Sequence, residues 1–351
     1  MARAGRLLGL LLCGALLVAC ERPASPAPTA ARTEPRSASA PPAAAATTVA
    51  PAPALLPVRA AYTAVSGSMA PAWFAADGGF FAQQGLDVDL RFVATSTTLT
   101  PALISGEVQI AETGGGEIIQ ATLAGADLVL VGALVPVLVF SIYGDPALGR
   151  LEDLAGKRLA VSRYGSATDY AAQQALKRAD LVPGRDVAVI QAGGVPEALA
   201  AVQAGGVEAA VVSPPTTLQA RQAGLRELVD LGAQEVPYLQ ASVALGRGQL
   251  SEEPERARRF LRALVAGMDR ARREPEWAKA VIGQYTRTQD PAVLDETYRA
   301  FAPRYPALPY VPAEAVEASL AEIAERDERA RGADPARFYD NSLVAEIEAR
   351  R

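Results

Sequence analysis

Residues 186–212 read DVAVIQAGGVPEALAAVQAGGVEAAVV, and this stretch decides the fold. Its two ends, 186–191 and 208–212, are short apolar runs with the length of a buried strand. The residues between them, Val195–Ala204, place apolar side chains at the spacing of a helix. A strand, a helix and a second strand in this order favour a mostly parallel sheet that is covered by helices.

The same alternation extends along the chain in both directions. Five further candidate strands lie at 58–64, 87–93, 108–112, 127–133 and 158–162. Ala167–Ala179 is another helical pattern. The elements fall into two blocks, about 58–135 and 151–235, each long enough for one lobe. We therefore predict an α/β fold with mostly parallel sheets in two lobes.

A helical tail follows these blocks. The strand-like run Gln240–Leu245 leads into a region with helical patterns only. Within Pro254–Arg273 the apolar side chains form one stripe, made by Phe260, Leu261, Leu264, Val265 and Met268. The other face of this segment is charged, which is typical of a helix packed on a protein body.

The composition excludes several kinds of site. Acidic residues outnumber basic ones by 39 to 34, so the basic stripe that nucleic-acid binding needs is missing. The chain has no His, the usual acid–base group and metal ligand near neutral pH. Its two cysteines, Cys13 and Cys20, both lie at the N-terminus, which leaves the body without a thiol. We therefore expect no catalytic residue, no metal and no cofactor.

The N-terminus has the pattern of an export signal. Arg3 and Arg6 precede a short apolar run that ends Leu17-Val18-Ala19-Cys20 and resembles the bacterial lipobox. We predict a signal peptide over 1–19 and lipidation of Cys20; the alternative is an ordinary signal peptide with a chance cysteine. The rest of 20–56 is almost entirely Ala, Pro, Ser and Thr, which predicts a disordered tether. The protein would then be exported and lipid-anchored to a bacterial membrane.

Short polar or glycine-rich segments follow the predicted strands, where open α/β sheets bind ligands. The candidate ligand-binding residues of these segments are Ser66, Gly67, Ser68, Met69, Ser96, Thr97, Thr113, Gly114, Arg163, Tyr164, Gly165, Ser166, Gly193, Gly194 and Pro214. Hydroxyls and free backbone N–H groups before helices suit carboxylate, sulfonate or carbonyl groups. Taken singly, such residues are more often helix caps, as Ser166 with Asp169 illustrates.

Four ordered motifs carry a resemblance to a known family. They are residues 73–88 (WFAADGGFFAQQGLDV), 103–111 (LISGEVQIA), 151–161 (LEDLAGKRLAV) and 198–210 (ALAAVQAGGVEAA). Together they resemble the NMT1/THI5-like and nitrate/sulfonate/taurine-type solute-binding proteins. Gln109 is a departure, since the family usually has Asp at this position.

The resemblance implies a periplasmic binding protein fold of type II, in which two lobes joined by a double hinge close on a ligand. Lobe 1 would comprise 57–140 plus 240–351 and lobe 2 would comprise 141–239, with hinge strands near Val135–Tyr143 and Pro237–Leu245. It also implies a monomer that passes its solute to an ABC permease and ATPase on separate chains.

Single residues leave the class of ligand open. Arg163 is suited to grip a planar anion, and its alternative is a solvated position at the rim. Tyr164 and Trp73 are suited to stack on an aromatic ligand, although Trp73 also fits a core position. For Tyr238 two roles stay open, lining the cleft or bracing the hinge. If Arg163 faces the cleft and Glu112 and Glu117 do not, we expect an anionic ligand. The reverse arrangement predicts an aminopyrimidine-like or amide ligand.

Two other functions stay open on the same fold. One is an enzyme, either chorismate-dehydratase-like or a pyrimidine-precursor synthase. The synthase chemistry uses His and Cys, which this body lacks, whereas Glu112 or Asp169 leaves the dehydratase possible. The other is an anchored ligand sensor.

Overall fold

The computed structural model describes residues 54–94 and 96–351, without the side chains of 96–98. The predicted signal peptide, Cys20 and nearly all of the predicted tether lie outside the described residues. Within the described part of the chain, no helix combines the length and the apolar character required to cross a membrane.

Ten strands form two five-stranded sheets. The strands are β1 Leu56–Tyr62, β2 Leu86–Phe92, β3 Ile110–Thr113, β4 Leu128–Val137, β5 Ser141–Gly144, β6 Arg158–Val161, β7 Ala188–Gln191, β8 Ala209–Val212, β9 Arg226–Asp230 and β10 Pro237–Gly246. The seven strands predicted from the alternation are present with small shifts at their ends. The alternation of strands and helices predicted neither β9 nor β5.

The first sheet has the order β2-β1-β3-β10-β4. Strand β1 is parallel to β2 and β3, whereas β10 is antiparallel to both β3 and β4. The second sheet has the order β7-β6-β8-β5-β9, in which β5 alone is antiparallel to its neighbours. The chain passes from the first sheet to the second through 138–140 and returns through 231–236.

Thirteen helices cover these sheets in the described part of the chain. They are α1 Ala70–Asp77, α2 Phe80–Gln83, α3 Ser96–Ile104, α4 Gly115–Leu123, α5 Ala167–Arg178, α6 Val195–Gln203, α7 Thr216–Gln222, α8 Arg247–Glu252, α9 Pro254–Arg273, α10 Pro275–Thr286, α11 Pro291–Phe301, α12 Ala313–Ile323 and α13 Ser342–Glu348. We call the first sheet and its helices the first lobe, and the second sheet and its helices the second lobe.

The centre of the first sheet is buried on both faces. Val129 and Val131 of β4 pack toward α9, and Leu128 and Leu130 pack on the other face toward α12. This explains why β4 reads as a continuous apolar run and not as an alternating one. The predicted apolar stripe of α9 is buried, so the prediction of a packed helical tail is confirmed.

Candidate functional site

A cavity of about 370 Å³ lies between the two lobes. Its lining residues follow the carboxyl ends of strands from both sheets and include one residue of β10: Thr63, Ala64, Val65, Ser66, Ser68, Met69, Phe92, Ala94, Gly114, Glu117, Phe140, Ser162, Arg163, Ser166, Ala167, Thr168, Gly193, Gly194, Val195, Pro196, Glu197, Ser213 and Gln240. The volume falls within the range of small-molecule sites, and the walls combine apolar side chains with hydroxyls and a few charges.

Three helices begin at this cavity. Helix α4 starts after Gly114, α5 after Ser166 and α6 after Gly194, and all three of these residues line the cavity. The first turn of a helix has backbone N–H groups without intrahelical partners and a partial positive charge. The arrangement therefore offers hydrogen-bond donors from both lobes to a ligand with acceptor oxygens.

The second lobe contributes a cluster of three hydroxyls. Ser162 Oγ lies 2.9 Å from Ser166 Oγ and 2.7 Å from Thr168 Oγ1, and the two latter oxygens are 2.9 Å apart. Ser166 does not cap α5 with its side chain; its hydroxyl donates to the carbonyl of Arg163 at 2.7 Å. The capping that the sequence suggested for Ser166 is therefore absent. Instead, the backbone N–H of Gly165 donates to Asp169 Oδ2 at 2.9 Å.

Arg163 is the one cation among the residues that line the cavity. Its Nη1 donates to the carbonyl of Gly193 at 3.2 Å, which joins two loops of the second lobe. Its Nε is buried and has no hydrogen-bond partner among the described residues. The side chain is thus held in place, while one buried donor has no partner among the described residues.

The two glutamates Glu112, in β3, and Glu117, in the first turn of α4, have different positions relative to the cavity. Glu117 lines the cavity, and its Oε2 accepts a hydrogen bond from Thr113 Oγ1 at 3.0 Å. Glu112 is buried away from the cavity lining, where its Oε2 accepts the N–H of Ala72 at 3.2 Å. Burial raises the pKa of Glu112 well above its ordinary value, and the bond from Ala72 only partly offsets this. The sequence analysis predicted an anionic ligand if Arg163 alone faces the cleft, and an aminopyrimidine-like or amide ligand if the glutamates alone do. Neither condition is met, because Arg163 and Glu117 both line the cavity.

Gln240 also lines the cavity, from strand β10. Sequence analysis did not single it out, because it belongs to an apolar run and follows no strand end. Its side chain is only 3% exposed, and its Oε1 accepts the N–H of Val139 at 2.5 Å.

The two lobes touch beside the cavity. Ser66 Oγ lies 3.1 Å from Ser213 Oγ, and the N–H of Gly67 donates to the carbonyl of Pro214 at 3.4 Å. Gln120 Nε2 of the first lobe donates to the carbonyl of Gly165 of the second at 3.2 Å. The structure therefore corresponds to a closed arrangement of the lobes.

Eight of the predicted site residues line the cavity: Ser66, Ser68, Met69, Gly114, Arg163, Ser166, Gly193 and Gly194. Four lie directly beside it without lining it, namely Gly67, Thr113, Gly165 and Pro214. The side chains of Ser96 and Thr97 lie outside what the structure describes. Sequence reasoning missed Phe92, Phe140, Gln240 and the exposed Glu197.

The three aromatic candidates lie elsewhere. Trp73 is fully buried and stacks on Tyr285 with ring centroids 4.8 Å apart, because α1 turns this face into the core and away from the cleft. Tyr238 is buried against Tyr170 at 4.1 Å. Tyr164 is exposed, and its hydroxyl donates to the carbonyl of Val189 at 2.9 Å. None of the three side chains lines the cavity, and for Trp73 the structure agrees with the alternative of a core position.

No group of three or more Asp, Glu, Cys or His side chains that could hold a metal occurs among the residues that the structure describes.

Comparisons with known proteins give a family and a fold. The family model described as "NMT1/THI5 like" matches residues 66–278, which is more than half of the chain. No curated protein sequence matches the chain. Among solved structures, a protein of Bordetella bronchiseptica RB50 is similar with a TM-score of 0.74 and 17% identity, over 84% of this chain and 97% of that one.

Two structures with known ligand classes are also similar. The alkanesulfonate-binding protein SsuA from Xanthomonas axonopodis pv. citri, bound to MOPS, gives a TM-score of 0.66 and 20% identity over 84% of this chain and 98% of that one. The periplasmic nitrate-binding protein NrtA from Synechocystis PCC 6803 gives a TM-score of 0.65 and 13% identity over 84% of this chain and 89% of that one. These matches confirm the predicted two-lobed fold of type II.

Proposed function

Because the chain belongs to the NMT1/THI5-like family, we propose that it is an extracytoplasmic solute-binding protein of an ABC importer. The observation that carries this proposal is the cavity between the lobes, which is lined by strand ends of both sheets and by the start of three helices. Closing two lobes around such a cavity binds a solute without any chemical step.

The solute that fits this cavity is a small organic molecule with an acceptor head group. The donors are the helix N-termini, Arg163 and the hydroxyls around Ser162. Val65, Met69, Phe92 and Phe140 supply an apolar wall for the rest of the molecule. The volume of about 370 Å³ is much larger than an inorganic anion requires, so we favour an organic sulfonate, a carboxylate or a carbonyl-bearing heterocycle. The sulfonate-binding structure with bound MOPS is a precedent on this fold.

Thermal unfolding of the purified chain tests the proposal. The panel comprises ethanesulfonate, MOPS, benzoate, nitrate, 4-aminopyrimidine and riboflavin, and each mixture is analysed afterwards for chemical conversion. A solute held at one hundred times its Kd should stabilise the protein by about 2.7 kcal/mol. We expect a rise in Tm with an organic acceptor, loss of that rise in Arg163→Ala, and recovery of the compound unchanged. Conversion to a product would instead favour the enzyme, and no shift with any compound would contradict the proposed ligand class.

We also propose that Cys20 carries the lipid that anchors the protein, and that a permease and an ATPase on separate chains receive the solute. The support is the segment Leu17-Val18-Ala19-Cys20 after an apolar run. Cys20→Ser should move the protein from the membrane fraction to the soluble fraction and abolish labelling with radioactive palmitate. Cys13→Ser is the matched control, because this cysteine lies within the predicted signal and should leave both readouts unchanged. Equal palmitate labelling of wild type and Cys20→Ser would contradict the anchor.

A further inference from the structure

Gln240 and Arg163 are the two residues of the cavity lining whose side chains have a buried donor with no partner among the described residues. The Gln240 side chain is 3% exposed, and its Nε2 has no hydrogen-bond partner in the described part of the chain. The hydroxyls of Ser162, Ser166 and Thr168 all bond to one another, so their hydrogen-bonding capacity is partly used. A buried donor left unpaired destabilises a protein, which makes such a group inside a cavity a marker for a missing acceptor.

The orientation of the Gln240 carboxamide is fixed by the backbone. Its Oε1 accepts the N–H of Val139 at 2.5 Å, and Val139 lies in the segment that connects β4 to β5. A backbone N–H can only donate, so rotating the amide by half a turn would set two donors against each other. The oxygen must therefore face Val139, and the NH₂ group is the part left for a partner in the cavity.

Gln240 lies where the two lobes are joined. It belongs to β10, the strand in which the chain re-enters the first lobe. Its side chain is hydrogen-bonded to Val139, in the segment through which the chain passes from the first lobe to the second. Arg163 Nε, the other buried donor of the lining without a partner, belongs to the second lobe. Two buried donors without partners thus belong to residues that line one cavity, one at the hinge side and one in the wall of the second lobe.

We propose that Gln240 is a ligand-binding residue that selects solutes with an acceptor oxygen at the hinge side of the cavity. This inference rests on the proposed function. The carboxamide Nε2 donates to a sulfonate, carboxylate or carbonyl oxygen of the solute. A solute that presents a donor or an apolar group at this point leaves Nε2 unpaired and is rejected. Through the Gln240 side chain, this hydrogen bond also connects the solute to the segment around Val139. Binding would therefore act on the segment that joins the lobes.

The test is Gln240→Glu, studied by calorimetric titration of the full chain with the sulfonates and carboxylates of the panel, from pH 8 down to pH 5. A glutamate keeps an acceptor for the N–H of Val139 and replaces the donor with a negatively charged oxygen. At pH 8 we expect Kd to rise at least fiftyfold for the solute that wild type binds. As the pH falls, the buried carboxyl gains a proton and becomes a donor again, so the loss should shrink at least fivefold. A sulfonate stays ionised over this range, which makes it the preferred probe.

Gln191→Glu is the matched control. Gln191 also accepts a backbone N–H with its Oε1, from Tyr164 at 2.9 Å, but it lies outside the cavity lining. This variant adds the same charge at the end of β7 in the second lobe, and we expect its Kd to stay within twofold of wild type at each pH. Gln240→Met is a second variant, in case the glutamate variant does not fold: its Kd should rise about tenfold without any recovery at low pH.

The outcomes separate the two proposals. If wild type binds a solute and Gln240→Glu binds it equally well from pH 8 to pH 5, the role of Gln240 is overturned while the solute-binding function stands. The same holds if Gln240→Met binds as wild type does. If wild type binds no member of the panel, the proposed ligand class fails, and the role of Gln240 fails with it.

Discussion

Arg326 and Asp169 form an ion pair across the two lobes, with Arg326 Nη1 2.9 Å from Asp169 Oδ2. The carboxylate is buried, whereas the guanidinium is about half exposed. The same oxygen accepts the N–H of Gly165, and Arg326 Nη2 also bonds to Glu322 at 2.8 Å. The helical tail thus contacts the first turn of α5 in the second lobe, and separating the lobes would break this pair.

Removing this pair should weaken ligand binding. For Arg326→Ala we expect a loss of about 1 kcal/mol in binding, or about a fivefold rise in Kd, because a half-exposed pair is screened by solvent. Kd is measured by titration with the solute that wild type binds. Arg329→Ala is the matched control, since Arg329 pairs with Asp327 two residues away and within the tail. Equal Kd values for Arg326→Ala and Arg329→Ala would contradict a role of the pair in closure.

Gly67→Ala should destabilise the protein. A Cβ at this position would lie 2.8 Å from Thr297 Cγ2 and would overlap with the ring of Phe301, and both side chains are fully buried. Such overpacking costs about 1–3 kcal/mol. Urea unfolding measures the difference. Gly248→Ala in α8 is the control, because its Cβ would meet no atom within 4 Å, and it should be neutral or slightly stabilising. A Gly67→Ala variant as stable as wild type would show that Phe301 moves aside at little cost.

Trp73→Phe should affect stability and leave binding unchanged. The variant loses the stacked arrangement with Tyr285 and part of the core volume, which we expect to cost about 1–2 kcal/mol. Thermal unfolding and solute titration are measured on the same sample. A change in Kd larger than twofold would place Trp73 in the binding site after all.

Glu112 should make stability fall as the pH rises. Burial raises its pKa well above the ordinary value of 4.5, so the folded protein keeps a proton that the unfolded chain has lost. The free energy of unfolding then decreases by up to about 1.4 kcal/mol per pH unit, from pH 4.5 up to the pKa of the folded state.

Glu112→Gln has no such proton to lose. We expect the variant to melt at a higher temperature than wild type at pH 8, and the difference between the two to disappear near pH 4.5. Glu252→Gln, at an exposed position of α8, should follow wild type at every pH. Parallel Tm curves for wild type and Glu112→Gln would contradict a raised pKa at this site.

Sequence periodicity was sufficient for the strands that alternate with helices along the chain. Strands such as β7 and β8 alternate with helices, and that alternation is visible in residues 186–212. It failed for β9, Arg226–Asp230, because this edge strand is half exposed and reads as a charged segment. Strand β5, Ser141–Gly144, has four residues and follows a crossing segment, so no repeating pattern marks it.

The residues of the candidate site also divide into those that the sequence could predict and those that it could not. Residues that follow strand ends, such as Ser66 and Arg163, were accessible to prediction because strand ends meet at one edge of a sheet. Gln240 was not, because it lies inside a buried strand and its surroundings depend on Val139, about a hundred positions away in the chain. Trp73 was ambiguous for the opposite reason: only the packing of Tyr285 against it shows that this face of α1 is internal.

The position of β10 has a consequence for the order in which the chain can fold. It lies between β3 and β4, which do not pair with each other, so the first sheet stays in two parts until Gly246 is available. The second sheet, from Ser141 to Asp230, is continuous in sequence and is complete earlier. If the chain emerges from its N-terminus during synthesis or translocation, we expect the second lobe to fold before the first. The first lobe would wait with exposed strand edges, and chaperones that bind such edges would act mainly on residues 56–137.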